Sequence, residues 1–266
     1  MKLVIKILTA IALICLLQRF CHKETDGFAV CKICSDLIPR KEWEVSSSSD
    51  LEKEGIRGIL GQEYRYLAKG AQSYVFVSAD GKYVLKFFRH SHLRDPEKLN
   101  KDFTSYKIAF EQMKEETGLV FLHLNKTNDL KQKVTIYDKL GIIHELDLDT
   151  MEFMLQKKAT LIFTALTGWM ENGEVDRAKL GITSLFKLLQ LRCAKGIFDK
   201  DPDLKTNFGF YQDKAVQIDV GRFKIYKTGE AQKNEIVRIT DGLHHWINAN
   251  YPELSNYFEE QLDALH

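Results

Sequence analysis

The side chains best suited to chemistry are hard oxygen donors. Asp199, Asp201 and Asp203 stand within one short stretch, Asn207 follows, and Asp219 sits in Ile218-Asp219-Val220-Gly221. Asp201, Asn207 and Asp219 together can hold divalent cations such as magnesium on carboxylate and amide oxygens. An acidic turn, Asp201-Pro202-Asp203, with Asn207 capping it, accounts for the same residues without chemistry. Lys86 is the next candidate. Its neighbours Val84, Leu85, Phe87 and Phe88 are apolar. An ammonium among them is costly unless it is paired or faces a ligand; a lysine snorkelling from an edge strand is the alternative. A third candidate is the stretch Leu67–Val75, where the small residues Ala68, Gly70 and Ser73 leave backbone amides approachable. An ordinary hairpin tip has the same composition.

These residues need elements to hold them. Tyr64–Phe88 reads as strands, with Tyr74-Val75-Phe76-Val77 β-branched and aromatic and a hairpin turn at Asp80-Gly81. The loop at Gly70 then precedes one strand, and Lys86 lies on the next. Asp95 is a good helix N-cap with Pro96 behind it. Leu99, Phe103, Tyr106, Phe110 and Met113 form one apolar stripe, and Gly118 stops the helix. Residues 119–124, 134–137 and 142–146 read as short strands, with 146–149 as a connecting hinge. The second half reads as helices over 151–170, 175–194, 235–249 and 252–265, broken at Asn172-Gly173. Phe208–Tyr211 and Ala215–Ile218 read as two short strands turning at Gln212-Asp213. His244-His245-Trp246 falls inside a helix, where adjacent side chains diverge, so it makes no metal site by itself. Phe186, Trp169, Tyr257 and Phe258 read as core.

The order of the segments carries more than any one of them. Leu67–Val75, then Val84-Leu85-Lys86, then Gly196-Ile197-Phe198-Asp199-Lys200-Asp201 with Asn207, then Ile218-Asp219-Val220-Gly221 resembles the motif series of the protein-kinase-like superfamily in a reduced form. The resemblance covers roughly residues 60 to 225. It implies an α+β, two-lobed fold, with a small antiparallel-sheet N-lobe over 59–148 and a helical C-lobe over 149–266. It implies an ATP-dependent phosphotransferase with magnesium. Gly70, Ser73 and Val75 would lie against the nucleotide and Lys86 on its phosphates, paired with Glu111 or Glu115. Asn207 and Asp219 would hold the metal, and Asp201 would orient an acceptor hydroxyl of unknown kind. The chain departs from the pattern in four ways. The loop keeps one glycine of three, Asp199 replaces the usual histidine, Asn207 comes one residue late, and no Ala-Pro-Glu segment follows Gly221. These departures leave Asp199 and Asp203 as rival proton acceptors. They also favour a second reading, a membrane-tethered pseudokinase acting as a binding or scaffold protein.

The N-terminus is a separate segment. Lys2 leads into an apolar run that Gln18 and Arg19 end. This pattern marks 1–24 as a signal peptide or membrane anchor, with membrane contact through residues 3–20. Residues 25–58 read as a juxtamembrane linker containing Cys31-Lys32-Ile33-Cys34, a pair that forms a local disulfide or stays as two thiols. A redox or metal module on these cysteines would need partners not visible nearby. The run Ser46–Asp50, with Ser49 and Glu52, has the character of a helix cap. The net charge of +1 supplies no field for nucleic acid, and no internal repeat is apparent.

Overall fold

The computed structural model describes residues 2–45, 50–90, 95–225 and 232–265. In chain order the elements are α1 (Lys2–Glu24), α2 (Asp50–Leu60), β1 (Glu63–Lys69), β2 (Ser73–Ser78), β3 (Tyr83–Phe88), α3 (Pro96–Gln112), α4 (Lys114–Thr117), β4 (Leu119–His123), β5 (Lys133–Tyr137) and β6 (Ile143–Asp147). They continue as β7 (Phe153–Lys157), β8 (Thr160–Leu161), α5 (Ile162–Glu171), α6 (Val175–Ala194), β9 (Ile197–Asp199), β10 (Phe208–Tyr211), β11 (Lys214–Gln217), β12 (Phe223–Ile225), α7 (Gln232–Asn250) and α8 (Ser255–Asp263). The chain is α+β, with antiparallel strand pairs and a helical part. Two units divide it: Met1–Arg94 with His123–Met154, and Asp95–Leu122 with Leu155–His266.

Within the first unit the strands run β3-β2-β1-β5-β6. All pairs are antiparallel except β1 and β5, which run parallel with Tyr64 opposite Ile136. Strand alternation puts Tyr64, Phe76, Phe87, Ile136 and Leu146 on one buried face. Asp80-Gly81 makes the β2–β3 turn, with Gly81 left-handed (φ 70°) and Asp80 accepting from Ser78 Oγ. Residues 25–45 pack on this unit: Phe28, Ile33 and Trp43 are buried, and Phe28 meets Tyr74 and Phe76 edge-on. Arg40 and Asn125 exchange two backbone-to-amide bonds (3.1 and 2.9 Å). Ser35 and His90 both meet the buried Glu152 carboxylate, at 2.5 and 2.9 Å. The serine run at 46–49, and with it the expected cap, lies outside the described residues.

The second unit is mainly helical. Asp95 caps α3, accepting from the Glu97 N–H. The expected stripe from Leu99 to Met113 is buried throughout. Gly118 ends α4 in the left-handed region (φ 63°). The helix expected over 151–170 starts only at Ile162, because 153–157 is the strand β7. Phe153, Met154, Leu155 and Gln156 are all buried; a short run buried on every side has no period to separate strand from helix. The helix over 175–194 agrees with α6 at both ends. β10 and β11 form the expected hairpin, with Gln212 and Asp213 both left-handed (φ 47° and 64°). Phe186, Trp169 and Phe258 are core, whereas Tyr257 is half-buried with its hydroxyl 2.5 Å from Thr183 Oγ1, and His244 stacks on Phe258 at 5.0 Å.

Candidate active site

The predicted site residues fall into two groups, one in each unit. In the first unit, β2 and β3 place Val75 opposite Lys86. Both side chains therefore leave the same face, and Lys86 is half-buried. The loop at Gly70 is a tight turn closed by the Gly70 N–H donating to the Ser73 carbonyl (2.8 Å). Ser73 is buried at the start of β2. Among the described residues nothing demands a glycine at position 70. Its φ is not in the left-handed region, and a Cβ there would meet nothing nearer than the Ser73 carbonyl oxygen at 3.5 Å. Arg89 is a loop residue that the sequence reading missed. Its guanidinium donates to the Gly70 and Ala71 carbonyls (3.0 and 3.1 Å), and its N–H donates to the Gln72 carbonyl (2.8 Å). One arginine thus clamps three carbonyls of the loop.

In the second unit the structure brings Asp201, Asn207 and Asp219 together. The hairpin register, Phe208 opposite Gln217, sets Asn207 beside Ile218 at the open end. There the Asn207 carbonyl accepts from the Ile218 N–H (2.7 Å) and the Asp219 N–H (3.4 Å). The Asn207 amide donates to the Asp201 carbonyl (2.8 Å), and its oxygen accepts from Thr206 Oγ1 (2.9 Å). Asp219 is exposed, and its Oδ1 accepts from the Gly221 N–H (3.2 Å). Asp201 is exposed and pairs with Arg222 at 3.1 Å. Asp203 shapes the turn: it accepts from the Lys205 N–H and Thr206 Oγ1. Glu111 and Glu115, candidate partners for Lys86, stand 3.8 Å from Lys107 and 3.9 Å from Lys157.

Asp199 differs from the other two aspartates. The residue is 2% exposed at the end of β9, where its carboxylate accepts from the Asp201 N–H (2.9 Å) and from Gln217 Nε2 (2.5 Å). Gln217 Nε2 also reaches the Asp219 carbonyl at 3.3 Å. Behind Gln217 lies Arg192, wholly buried in α6, donating to Gln217 Oε1 (2.8 Å) and to Glu235 (2.6 Å). Burial pushes the Asp199 carboxyl above its ordinary range despite the arginine 4.0 Å away, and burial does the same to Glu235. The chain Glu235–Arg192–Gln217–Asp199 therefore ties the Asp201 loop and the Asp219 backbone to one interior network. Ser105 on α3 adds a further tie, donating to the Val220 carbonyl and accepting from the Phe223 N–H (2.5 Å). Of these, only Asp199 was legible as a candidate; a glutamine or serine inside an apolar pattern gives no comparable signal.

The donor chemistry at Asn207 and Asp219 fits magnesium, which takes hard oxygens. Among the described residues no group of three or more His, Cys, Asp or Glu side chains could hold a metal ion. A cation on this pair would complete its shell with phosphate and water oxygens, as magnesium commonly does.

No family model and no curated protein matches the chain. Among solved structures it is similar to the bifunctional kinase-methyltransferase WbdD, at 15% identity and a TM-score of 0.40 over 74% of this chain and 46% of that one. It is also similar to the ROP18 kinase domain in complex with AMP-PNP and sucrose, at 15% identity and a TM-score of 0.37 over 61% of this chain and 52% of that one. The chain spans about half the length of these structures.

Proposed function

We propose that the chain is a protein-kinase-like, ATP-dependent phosphotransferase that uses magnesium and transfers to a hydroxyl acceptor. The observation that carries this is the junction at Asn207. Three residues singled out by motif order, Asp201, Asn207 and Asp219, are joined there by backbone and amide hydrogen bonds. In this reading Gly70, Ser73 and Val75 line the nucleotide. That role is supported by the approachable backbone at Gly70, where among the described residues a Cβ would meet nothing nearer than 3.5 Å. Lys86 contacts the phosphates. Asn207 and Asp219 hold magnesium, which neutralises charge on the phosphates when bound. Asp201 orients the acceptor hydroxyl and takes its proton. Asp199 serves as a positioning residue, because its carboxylate is buried and committed to Gln217 and the Asp201 N–H.

A second reading is a membrane-tethered pseudokinase that binds partners. It is favoured by the pairing of Asp201 with Arg222, which engages the proposed base, although both side chains are more than half exposed and such pairs are weak. The test is thermal stabilisation of the full chain in detergent by ATP with magnesium, beside Lys86→Ala and Asp219→Ala. Stabilisation in the wild type that both variants lose supports the phosphotransferase site. Stabilisation that persists in both removes it. A folded wild type that ATP does not stabilise favours the pseudokinase.

A further inference from the structure

The β5–β6 turn and the end of α1 are built as one corner of the first unit. The chain leaves α1 through Asp26 and Gly27, both left-handed (φ 51° and 68°). An added Cβ at Gly27 would lie 2.7 Å from the His22 ring, and the left-handed backbone there also favours glycine. The Asp26 carboxylate is then held by Lys139 Nζ (3.0 Å) and by the Tyr66 hydroxyl (2.9 Å), and the Tyr74 hydroxyl donates to the Gly27 carbonyl (2.8 Å). Lys139 belongs to the turn itself. The turn is rigid: Asp138 Oδ1 accepts from the Leu140 and Ile142 N–H groups (2.9 Å each), and its Oδ2 meets His144 at 3.1 Å.

On this rigid turn Leu140, Ile142 and Ile143 are 56%, 53% and 58% exposed. Ile143 stands opposite Tyr137, and Tyr137 opposite Arg65, so the three share one outer face of the sheet, with the Arg65 guanidinium over the Tyr137 ring at 4.3 Å. The polar character changes along β6. The same face carries Glu145 and Asp147 at the far end. Glu63 also stands on this face, 4.0 Å from Arg65, but the exposed aliphatic side chains with Tyr137 and Arg65 beside them stand at the end where α1 attaches, a mixture that suits a membrane–water interface. In α1 itself, Val4–Glu24 is 21 residues long with none of its apolar window buried. At 1.5 Å per residue it spans about 30 Å, the thickness of a bilayer core.

We propose that the 138–143 turn is a second membrane contact. It sinks Leu140, Ile142 and Ile143 into the interfacial layer of the leaflet at which α1 ends, with Tyr137 and Arg65 at the level of the headgroups. The proposal rests on α1 being retained as a membrane helix. It has the first unit held against the bilayer at two points rather than tethered at one.

The full chain, reconstituted in phosphatidylcholine–phosphatidylserine vesicles, tests this with brominated acyl chains as quenchers. Tryptophan is introduced by Ile142→Trp and, as a control at an exposed site on α6, by Leu180→Trp; the wild type supplies the background from Trp43, Trp169 and Trp246. The added emission at 142 is expected to be roughly halved or lower by brominated lipid, and that at 180 unchanged. Unquenched emission at 142 in a chain that resists alkaline extraction overturns the turn contact while leaving the helix inserted. A chain released by alkaline extraction overturns both. A dimer in detergent that Ile142→Asp with Ile143→Asp converts to monomer gives the face to a second copy instead, and also overturns the proposal.

Discussion

Arg192→Met tests how the candidate catalytic loop is held. The wild-type side chain has no exposure and donates to Glu235 and Gln217. Methionine keeps most of the bulk and removes the charge, leaving Glu235 and Asp199 buried without their cation. Removing one partner of a buried ion pair costs about 3–5 kcal/mol. At roughly 2–4 °C per kcal/mol for domains near this size, the melting temperature falls by roughly 6–20 °C. Arg192→Met with Glu235→Leu removes both charges and recovers most of that loss, because an apolar pair often replaces a buried ion pair at little net cost. The deficit of the single variant also depends on pH. Burial already holds both carboxyls above their ordinary values, and losing the guanidinium raises them further. The folded variant then binds more protons than the unfolded chain, so its stability falls as pH rises. Calorimetric melting of the full chain in detergent at about pH 5 and about pH 8 reads both effects. A deficit below about 1 kcal/mol at the higher pH, a deficit that grows toward the lower pH, or a double variant no better than the single would refute the network.

Two further perturbations address the scaffold. In Gly209→Ala the new Cβ would lie 2.6 Å from the Thr160 carbonyl oxygen, across the β10–β8 pairing. Chemical unfolding should show a loss of about 1–3 kcal/mol, and a loss within error of zero would mean the strands part freely. Asp149→Asn and Asp199→Asn should respond to pH in opposite senses. Burial acts to raise Asp149, but bonds from Thr127 Oγ1 and the Lys131 and Leu130 N–H groups outweigh it and hold the carboxyl below the ordinary value. Its stabilisation is complete above about pH 4 and lost as pH falls through the depressed value, so the wild type gains on Asp149→Asn as pH rises through this range. Asp199 is raised, so the wild type loses ground to Asp199→Asn as pH climbs from about 4 to the raised value. Unfolding titrations across this range check both signs.

Much of this fold could be read from residue types because local rules and tertiary structure agree. The Asp95 cap, the Leu99–Met113 stripe and the Gln212-Asp213 turn each follow from one local rule, and each stands where that rule puts it, whereas the helix expected to run to Gly118 ends at Gln112 and Gly118 stops the separate α4. Residues 153–157 were not legible as a strand, since a run buried on all sides carries no periodicity. Nor does any local pattern in residues 25–45 announce that Phe28, Ile33 and Trp43 are core; their partners, such as Phe76 and His144 for Phe28, lie far along the chain. The candidate site divides in the same way. Asp201, Asn207 and Asp219 carry chemistry in their residue types and appear in a recognisable order. Arg89, Ser105, Arg192 and Gln217 act through long-range hydrogen bonds, and a sequence position holds no record of its partner.

The most direct measurement is calorimetric titration of ATP into the full chain in detergent, once with magnesium and once with a chelator. If Asn207 and Asp219 hold the metal against nucleotide phosphates, affinity should fall by about tenfold or more when magnesium is withdrawn, a difference of at least about 1.4 kcal/mol. Equal affinity in both conditions, or no binding at millimolar ATP by a chain that still melts cooperatively, would contradict a magnesium-dependent nucleotide site.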